Sequence, residues 1–319
     1  MARLRTDRAG VAVRVPTERG EGMGQRLRSR SERLLERTGR TGLGVGRSLH
    51  EQVLAGGEAT RNAADLLHGT WLGHPLHPVL TDLTIGAWTF GAIFDGIGAI
   101  TGDRATQRTA DQLTAIGTAS ALPTALAGIT DYSTLPKGSA STGTSHALLN
   151  AASLVFYGLS LLDRRRGRRG RGLMLAAAGL AANTYSAWLG GHLVYRERVG
   201  VDHSERFSGP REWTDVLGAQ ELPVGRAKRV EYEGKAIMLY RDADEVYAIG
   251  AVCSHAGGPL EEGAVRGCYV ECPWHQSVFD LRDGSIRHGP ATACQPAFDA
   301  RLREGRVEVR LAEKQRRES

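Results

Sequence analysis

The sequence predicts a multidomain protein: an α-helical membrane bundle of four transmembrane helices, followed by an all-β domain. Three observations carry that prediction. Four long apolar windows occupy the middle of the 319-residue chain. The texture changes sharply near residue 205, where short β-like stretches with Asp-Gly and Glu-Gly turn signals take over. All four cysteines, Cys253, Cys268, Cys272 and Cys294, fall in that last third, which points to metal rather than to a disulfide scaffold.

The first 61 residues contain 13 arginines and no lysine. Such a stretch buries too little apolar surface to offset its ordering entropy, so 1–46 is expected to be a disordered tail. It lacks the apolar core and small-residue cleavage site of a secretory signal. The next stretch, RSLHEQVLAGGEATRNAADLLHG (47–69), has the pattern of an amphipathic helix lying at a membrane interface. The net charge of +6 comes with no nucleic-acid recognition motif. A basic tail beside apolar segments suits anionic lipid, and no nucleic-acid partner is expected.

The apolar windows define a domain over 70–200. LTIGAWTFGAIFDGIGAIT (83–101) holds one charge, Asp95, and ADQLTAIGTASALPTALAGIT (110–130) holds one, Asp111. SHALLNAASLVFYGLSLL (145–162) and GLMLAAAGLAANTYSAWLGG (172–191) hold none. Each approaches the roughly 20 residues that span a bilayer as a helix. Their richness in Gly, Ala, Ser and Thr suits close packing of helices in lipid. A soluble bundle with a small-residue core is the competing reading; segments apolar all round favour a multi-pass protein of the cell membrane.

Four spans impose a parity on the polar residues. His74, His77 and Asp82 open the first window, and Asp131 and Tyr132 close the second. His146 opens the third and His192 closes the fourth, so all fall at one end. Hydropathy does not require that. The stretch GHPLHPVLTD therefore reads as part of a site, in which His74, His77, His146 and His192 hold a haem, a metal ion or a quinone headgroup. Haem b is the cofactor expected on the first of these readings. The basic link DRRRGRRGR (163–171) lies at the other end, which puts the histidine end and the β domain outside the cytoplasm; the arginine-rich tail argues the other way.

From Trp213 onward AIMLYR (236–241), EVYAIGAV (245–252), RGCYVEC (266–272), SVFDLRDGSI (277–286) and ARLREGRVEVR (300–310) read as strands. The domain is expected over 208–312, with a polar tail at 313–319. Two loops interrupt it, CSHAGGPL (253–260) and CPWHQS (272–277). Together they spell C-x-H, sixteen residues, then C-x-x-H. Tetrahedral zinc sites usually pair their ligands at other spacings. Two loops that each offer one thiolate and one imidazole suit a dinuclear centre with Cys₂ on one iron and His₂ on the other, a [2Fe–2S] cluster. A Cys₂His₂ zinc site is the alternative.

On those two motifs, residues 213–310 resemble a Rieske iron–sulfur domain. The resemblance implies that Cys253 and Cys272 hold one iron while His255 and His275 hold the other. The respiratory members carry an extra cysteine in each cluster loop; here Trp274 stands in that place in the second. The resemblance is therefore to the ferredoxin subclass, which passes single electrons to oxygenases or reductases. Gln276 stands where that subclass usually has glycine. Ser277 occupies the position of a hydroxyl that donates to a bridging sulfur, whereas Phe279 replaces the usual tyrosine. One such hydrogen bond with the other absent implies an intermediate potential. Residues 70–200, through GHPLHPVLTD, HALLNAASLVFYGLSLL and GGHLVYRERVGV, resemble a bacterial four-helix membrane family of uncharacterised function.

The expected protein is a membrane-anchored carrier of single electrons between the histidine end of the bundle and a redox partner protein, with the Rieske histidines as the exit. It is an electron-transfer component rather than a stand-alone catalyst. The other reading is a membrane-bound redox sensor or structural module whose cluster carries no flux. A terminal oxygenase needs a further iron site of two histidines and a carboxylate. After His275 only His288 remains, and no long catalytic domain follows.

Overall fold

The computed structural model describes residues 5–6, 12–13, 23–204, 209–243 and 245–313. Two short paired strands, β1 (Arg5–Thr6) and β2 (Ala12–Val13), precede six helices. These are α1 (Met23–Ala55), α2 (Glu58–His68), α3 (Leu76–Thr101), α4 (Arg104–Ser133), α5 (Ala140–Arg165) and α6 (Arg169–Tyr195).

Two expectations for the N-terminal region are corrected. Helix α1 begins inside the segment expected to be disordered. Its packing face is made of glycine, so no apolar stripe announces it. Gly39, Gly42 and Gly46 are buried. A Cβ on Gly39 would lie 2.4 Å from Ser141 Oγ, and one on Gly42 would lie 2.0 Å from the Tyr132 hydroxyl. Backbone approach of that kind replaces side-chain burial. Residues 1–4, 7–11 and 14–22 of the expected tail, and 314–319 of the C-terminal one, lie outside the described residues. The single amphipathic helix expected over 47–69 is two helices, broken at Gly56–Gly57, where Gly57 takes a φ of 76°. Their polar side chains engage protein: His50, Arg61 and Asp65 meet the β domain, and His68 meets α4.

Helices α3 to α6 form two antiparallel hairpins. Gly102, at φ 69°, ends α3, and Asp103 caps α4 by accepting from the N–H of Thr106 at 2.7 Å. Three segments are long and apolar enough to cross a membrane by length and composition: Leu76–Thr101, Arg104–Ser133 and Lys137–Arg165. The fourth expected span, on α6, is not among them; Asn183, Thr184 and Ser186 dilute its apolar character. Large apolar side chains such as Phe90, Ile97, Leu126, Val155 and Trp188 face outward. Small and hydroxyl-bearing ones, among them Gly91, Thr114, Gly117, Ser153 and Ser186, fill the inside.

The two hairpins are constructed alike. His77, Thr84, Trp88 and Asp95 on α3 recur as His146, Ser153, Tyr157 and Arg164 on α5 at identical spacing, and Gly117, Thr124 and Gly128 on α4 recur as Gly179, Ser186 and Gly190 on α6. Equivalent positions also touch each other. His77 meets His146, Trp88 stacks on Tyr157 with ring centres 4.1 Å apart, and Asp95 pairs with Arg164. Mutual contact of equivalent residues is the mark of a two-fold arrangement. Here its axis runs along the bundle.

At the end opposite the histidines, charge closes that axis. Arg164, with only 3% of its side chain exposed, donates to Asp95 at 2.8 Å and to Asp111 at 2.7 Å. Arg169 adds contacts of 3.1 Å to Asp95 and 3.0 Å to Asp111.

The β domain holds two sheets. The larger has strand order β3 (Thr214–Gly218), β12 (Arg306–Leu311), β11 (Ala297–Arg303), β6 (Val246–Gly250), β5 (Lys235–Arg241), β4 (Ala227–Tyr232). The smaller runs β10 (Ile286–His288), β9 (Val278–Asp280), β8 (Tyr269–Glu271), β7 (Ala264–Arg266). The run AIML is apolar because β5 is covered on both faces: Met238 enters one core with Val270 and Phe279, while Ile237 and Leu239 enter another with Val307 and Val309. The stretch 277–286, expected as one strand, is β9 and the turn leading into β10. Strands β3, β4 and β7 carried too little alternation to be expected.

Removing Arg164 would leave buried Asp95 with part-exposed Arg169 as its remaining cation. Arg164→Met should therefore destabilise the bundle by about 3–5 kcal/mol, read as thermal unfolding in detergent, while Asp95→Leu combined with Arg164→Leu should recover most of that loss.

Candidate metal centre

The two cysteine–histidine loops leave adjacent strand ends and are folded alike. In the first, which follows β6, the N–H of Cys253 donates to the Gly258 carbonyl at 2.8 Å, and the N–H of Gly257 donates back to the Cys253 carbonyl at 2.9 Å. In the second, which follows β8, Cys272 N–H donates to the Ser277 carbonyl at 2.8 Å and Gln276 N–H to the Cys272 carbonyl at 3.1 Å. The reversal requires a left-handed residue at the same place in each loop. Gly257 supplies it at φ 80°, and Gln276, unusually for a residue with a side chain, at φ 58°. A third loop covers the pair. Ala291 N–H donates to Ser277 Oγ at 3.0 Å, and Ser254 Oγ donates to the Ala293 carbonyl at 2.6 Å.

The four predicted donor residues converge. The imidazoles of His255 and His275 meet edge to face with ring centres 4.9 Å apart. Both hold Nδ1 buried with no hydrogen-bonding partner. The sulfurs of Cys253 and Cys272 are buried and hydrogen-bond to one another. Backbone N–H groups also aim at them, from His255 and Ala256 at the first and from Trp274 and His275 at the second. There is no room for more bulk: a Cβ on Gly258 would lie 2.9 Å from Cys272 Sγ.

The electrostatics suit metal ligation. The hydrogen bond from Cys253, helped by those N–H groups and opposed by burial, brings the Cys272 thiol down to about 7. The same pairing, with burial, pushes the Cys253 thiol up. Burial, then the nearby His50 and Arg47, lowers His275 to about 4, and burial, then His275, holds His255 well below the usual imidazole value. Both rings are thus neutral, the form that binds metal. Two orphaned ring nitrogens beside two sulfurs in N–H-lined loops fit a two-iron, two-sulfide group with mixed ligands. Cys268 and Cys294 are free thiols, apart from both loops.

The histidine side of these loops is partly covered by the helical region, with His255 and His275 half-buried. Gln276 Oε1 lies 2.8 Å from His50 Nε2 on α1. Asp65 on α2 accepts from the Gly289 N–H at 2.7 Å and pairs with His288 Nδ1 at 2.8 Å. His68, 5% exposed, gives its Nδ1–H to Asp131 of α4 at 2.8 Å. The link after α6 returns as well, with His203 N–H donating to the Ser254 carbonyl at 2.8 Å. The side open to solvent carries Trp274, 53% exposed. His50, Asp65 and His68 went unnoticed in the sequence because only the tertiary fold brings α1 and α2 to the cluster loops.

Of the four membrane-end histidines the structure brings two together. His77 and His146 have ring centres 6.2 Å apart. His74 is exposed in the turn before α3. His192 packs beside Trp188 and lies 3.5 Å from Glu197.

Comparison with known proteins follows the same division. A model described as a predicted membrane protein (DUF2231) matches residues 73–203, and one described as the Rieske [2Fe-2S] domain matches residues 212–299. The ferredoxin component of the naphthalene 1,2-dioxygenase system of Pseudomonas aeruginosa is 31% identical over 101 residues, which is 32% of this chain and 97% of that protein. The ferredoxin subunit of anthranilate 1,2-dioxygenase of Burkholderia cepacia is 38% identical over 77 residues, 24% of this chain and 71% of its own. Among solved structures, the ferredoxin of carbazole 1,9a-dioxygenase from Nocardioides aromaticivorans IC177 is 29% identical over 31% of this chain and 98% of its own, with a TM-score of 0.30. Through its β domain, fused behind a helical region of the membrane type, the chain belongs to the Rieske [2Fe-2S] family.

Proposed function

We propose that the chain is a membrane-embedded carrier of single electrons, with Cys253 and Cys272 ligating one iron and His255 and His275 the other. A [2Fe–2S] cluster held there takes up and releases one electron at a time. The observation that carries the reading is the pair of buried, unpartnered Nδ1 atoms in loops that also hold two buried, free thiols. In an apo protein those nitrogens would be a net cost.

Two features support a path with two ends. Inward, the imidazole side of the loops packs on α1 and α2, and His68 links that contact to Asp131 at the histidine end of the bundle. Outward, Trp274 offers an apolar contact for a redox partner protein. The relatives are ferredoxins of oxygenase systems, and a partner of that redox class is proposed here. Trp274 is therefore proposed as a contact at the exit, beside the Rieske histidines that the sequence implied. Outward-facing apolar side chains on all four bundle helices, Trp188 of α6 included, support four spans. The arginine-rich turn between α5 and α6 lies at the end away from the β domain and favours an extracytoplasmic Rieske domain.

Ser277 Oγ accepts the Ala291 N–H and so keeps its own proton to give, which supports a hydrogen bond to a cluster sulfur. Three outcomes test these statements. The reduced protein should show a Rieske-type paramagnetic resonance signal with iron and sulfide in equal amounts, and Cys272→Ser should lose both; zinc in place of iron would refute the carrier. Ser277→Ala should lower the midpoint potential, by about 59 mV if that bond is worth about 1.4 kcal/mol more in the reduced state. In intact spheroplasts a membrane-impermeant maleimide should label the exposed Cys294; labelling only after lysis would reverse the orientation.

A further inference from the structure

The third loop, which covers the two ligand loops, is itself held by helix α2. Asp65 accepts the Gly289 N–H on one carboxylate oxygen at 2.7 Å, and its other oxygen lies 2.8 Å from His288 Nδ1. A charged acceptor holds such donors more strongly than a neutral one. The approach is close: a Cβ on Gly289 would lie 2.9 Å from Thr70 Cγ2 and 3.3 Å from Asp65 Oδ1. Thr70 donates its hydroxyl proton to the Asp65 carbonyl at 3.1 Å, and His68 ties the same helix to Asp131 of α4. The third loop is therefore placed relative to the bundle as well as to its own sheet.

Both groups held by Asp65 lead to Ser277. Two residues after Gly289, the Ala291 N–H donates to Ser277 Oγ at 3.0 Å, with Ala291 1% and Ser277 0% exposed. His288 pairs with Val278, the residue after Ser277, where β10 meets β9. A hydroxyl oxygen that accepts an N–H has its own proton confined to the remaining directions. The N–H also polarises the hydroxyl toward giving that proton. The Ala291 N–H thus sets both where the Ser277 O–H points and how strongly it donates.

We infer that Asp65 is a positioning residue for the cluster: by fixing Gly289 and His288 it holds the Ala291 N–H on Ser277 Oγ, and so keeps the Ser277 hydroxyl aimed at a cluster sulfur. The inference rests on the reading of Ser277 given above. A hydrogen bond to sulfur stabilises the more negative, reduced state and raises the midpoint potential. The potential of the β domain then depends on its contact with the helical region, through a residue that a module without α2 does not have.

The test has to separate geometry from charge, because the two act in opposite directions. Removing the Asp65 carboxylate takes a negative charge from the neighbourhood of the cluster, which favours reduction and raises the potential. Losing the hydrogen bond from Ser277 lowers it. Asp65→Asn removes the charge but keeps an oxygen for the Gly289 N–H, whereas Asp65→Ala and Asp65→Leu remove both. The comparison is therefore among these uncharged variants, each made in the full chain with and without Ser277→Ala. Their midpoints are read in detergent by redox titration of the paramagnetic signal.

With Ser277 present, Asp65→Ala and Asp65→Leu should titrate below Asp65→Asn, by no more than Ser277→Ala itself lowers the midpoint. With Ser277→Ala, the three should coincide. Amide exchange over residues 288–293, a readout that needs no cluster, should be about tenfold faster in the Ala and Leu variants than in the Asn variant. Equal midpoints in the serine background, a difference that persists with Ser277→Ala, or unchanged exchange overturns the role of Asp65. If Ser277→Ala alone lowers the midpoint while the Asp65 series stays flat, only this inference falls. A midpoint that Ser277→Ala leaves unmoved overturns the reading of Ser277 itself.

Discussion

Two imidazole nitrogens, sealed from water and with nothing to bond, set the terms for the β domain. Leaving a polar atom in that condition costs about 1–3 kcal/mol. The loops around His255 and His275 nevertheless spend their hydrogen bonds on backbone and on sulfur, not on these nitrogens. Everything near them follows from holding that geometry: the left-handed turn residues, the missing side chain at Gly258, and the third loop locked down by Ser254 and Ser277. The helical collar packs against these loops.

That collar distinguishes the chain from a free ferredoxin module. Asp65 reads a main-chain N–H and a histidine of the β domain at once, while His68, three positions on, is fastened to the bundle through Asp131. Helix α2 therefore touches both bodies with neighbouring residues. Gln276 accepts a backbone conformation that glycine would adopt more easily, and its side chain reaches His50. The departure from the family pattern at this position thus has a local reason.

What could be read from the sequence was whatever depends on short-range spacing. The donor set was legible because each loop carries its own cysteine and histidine within a few positions, and the expected apolar windows fall within α3 to α6 because hydropathy is a property of a contiguous run. Helix α1 was not legible, since a face of Gly39, Gly42 and Gly46 leaves no trace in an apolar pattern. The duplication was hidden by the residues that replaced one another: Trp88 by Tyr157, Asp95 by Arg164. Parity located four histidines at one end of the bundle but said nothing of their rotation about each helix. That rotation separates His77 and His146 from exposed His74 and from His192 beside Trp188.

The replacement of one acid by a base across the axis has a consequence for assembly. Were the first hairpin to associate with a copy of itself from another molecule, Asp95 would confront Asp95; two second hairpins would oppose arginine to arginine. Only the mixed pairing neutralises the axis. The two halves therefore recognise each other and reject their own kind, which favours closure within a single polypeptide over open-ended chains of exchanged hairpins.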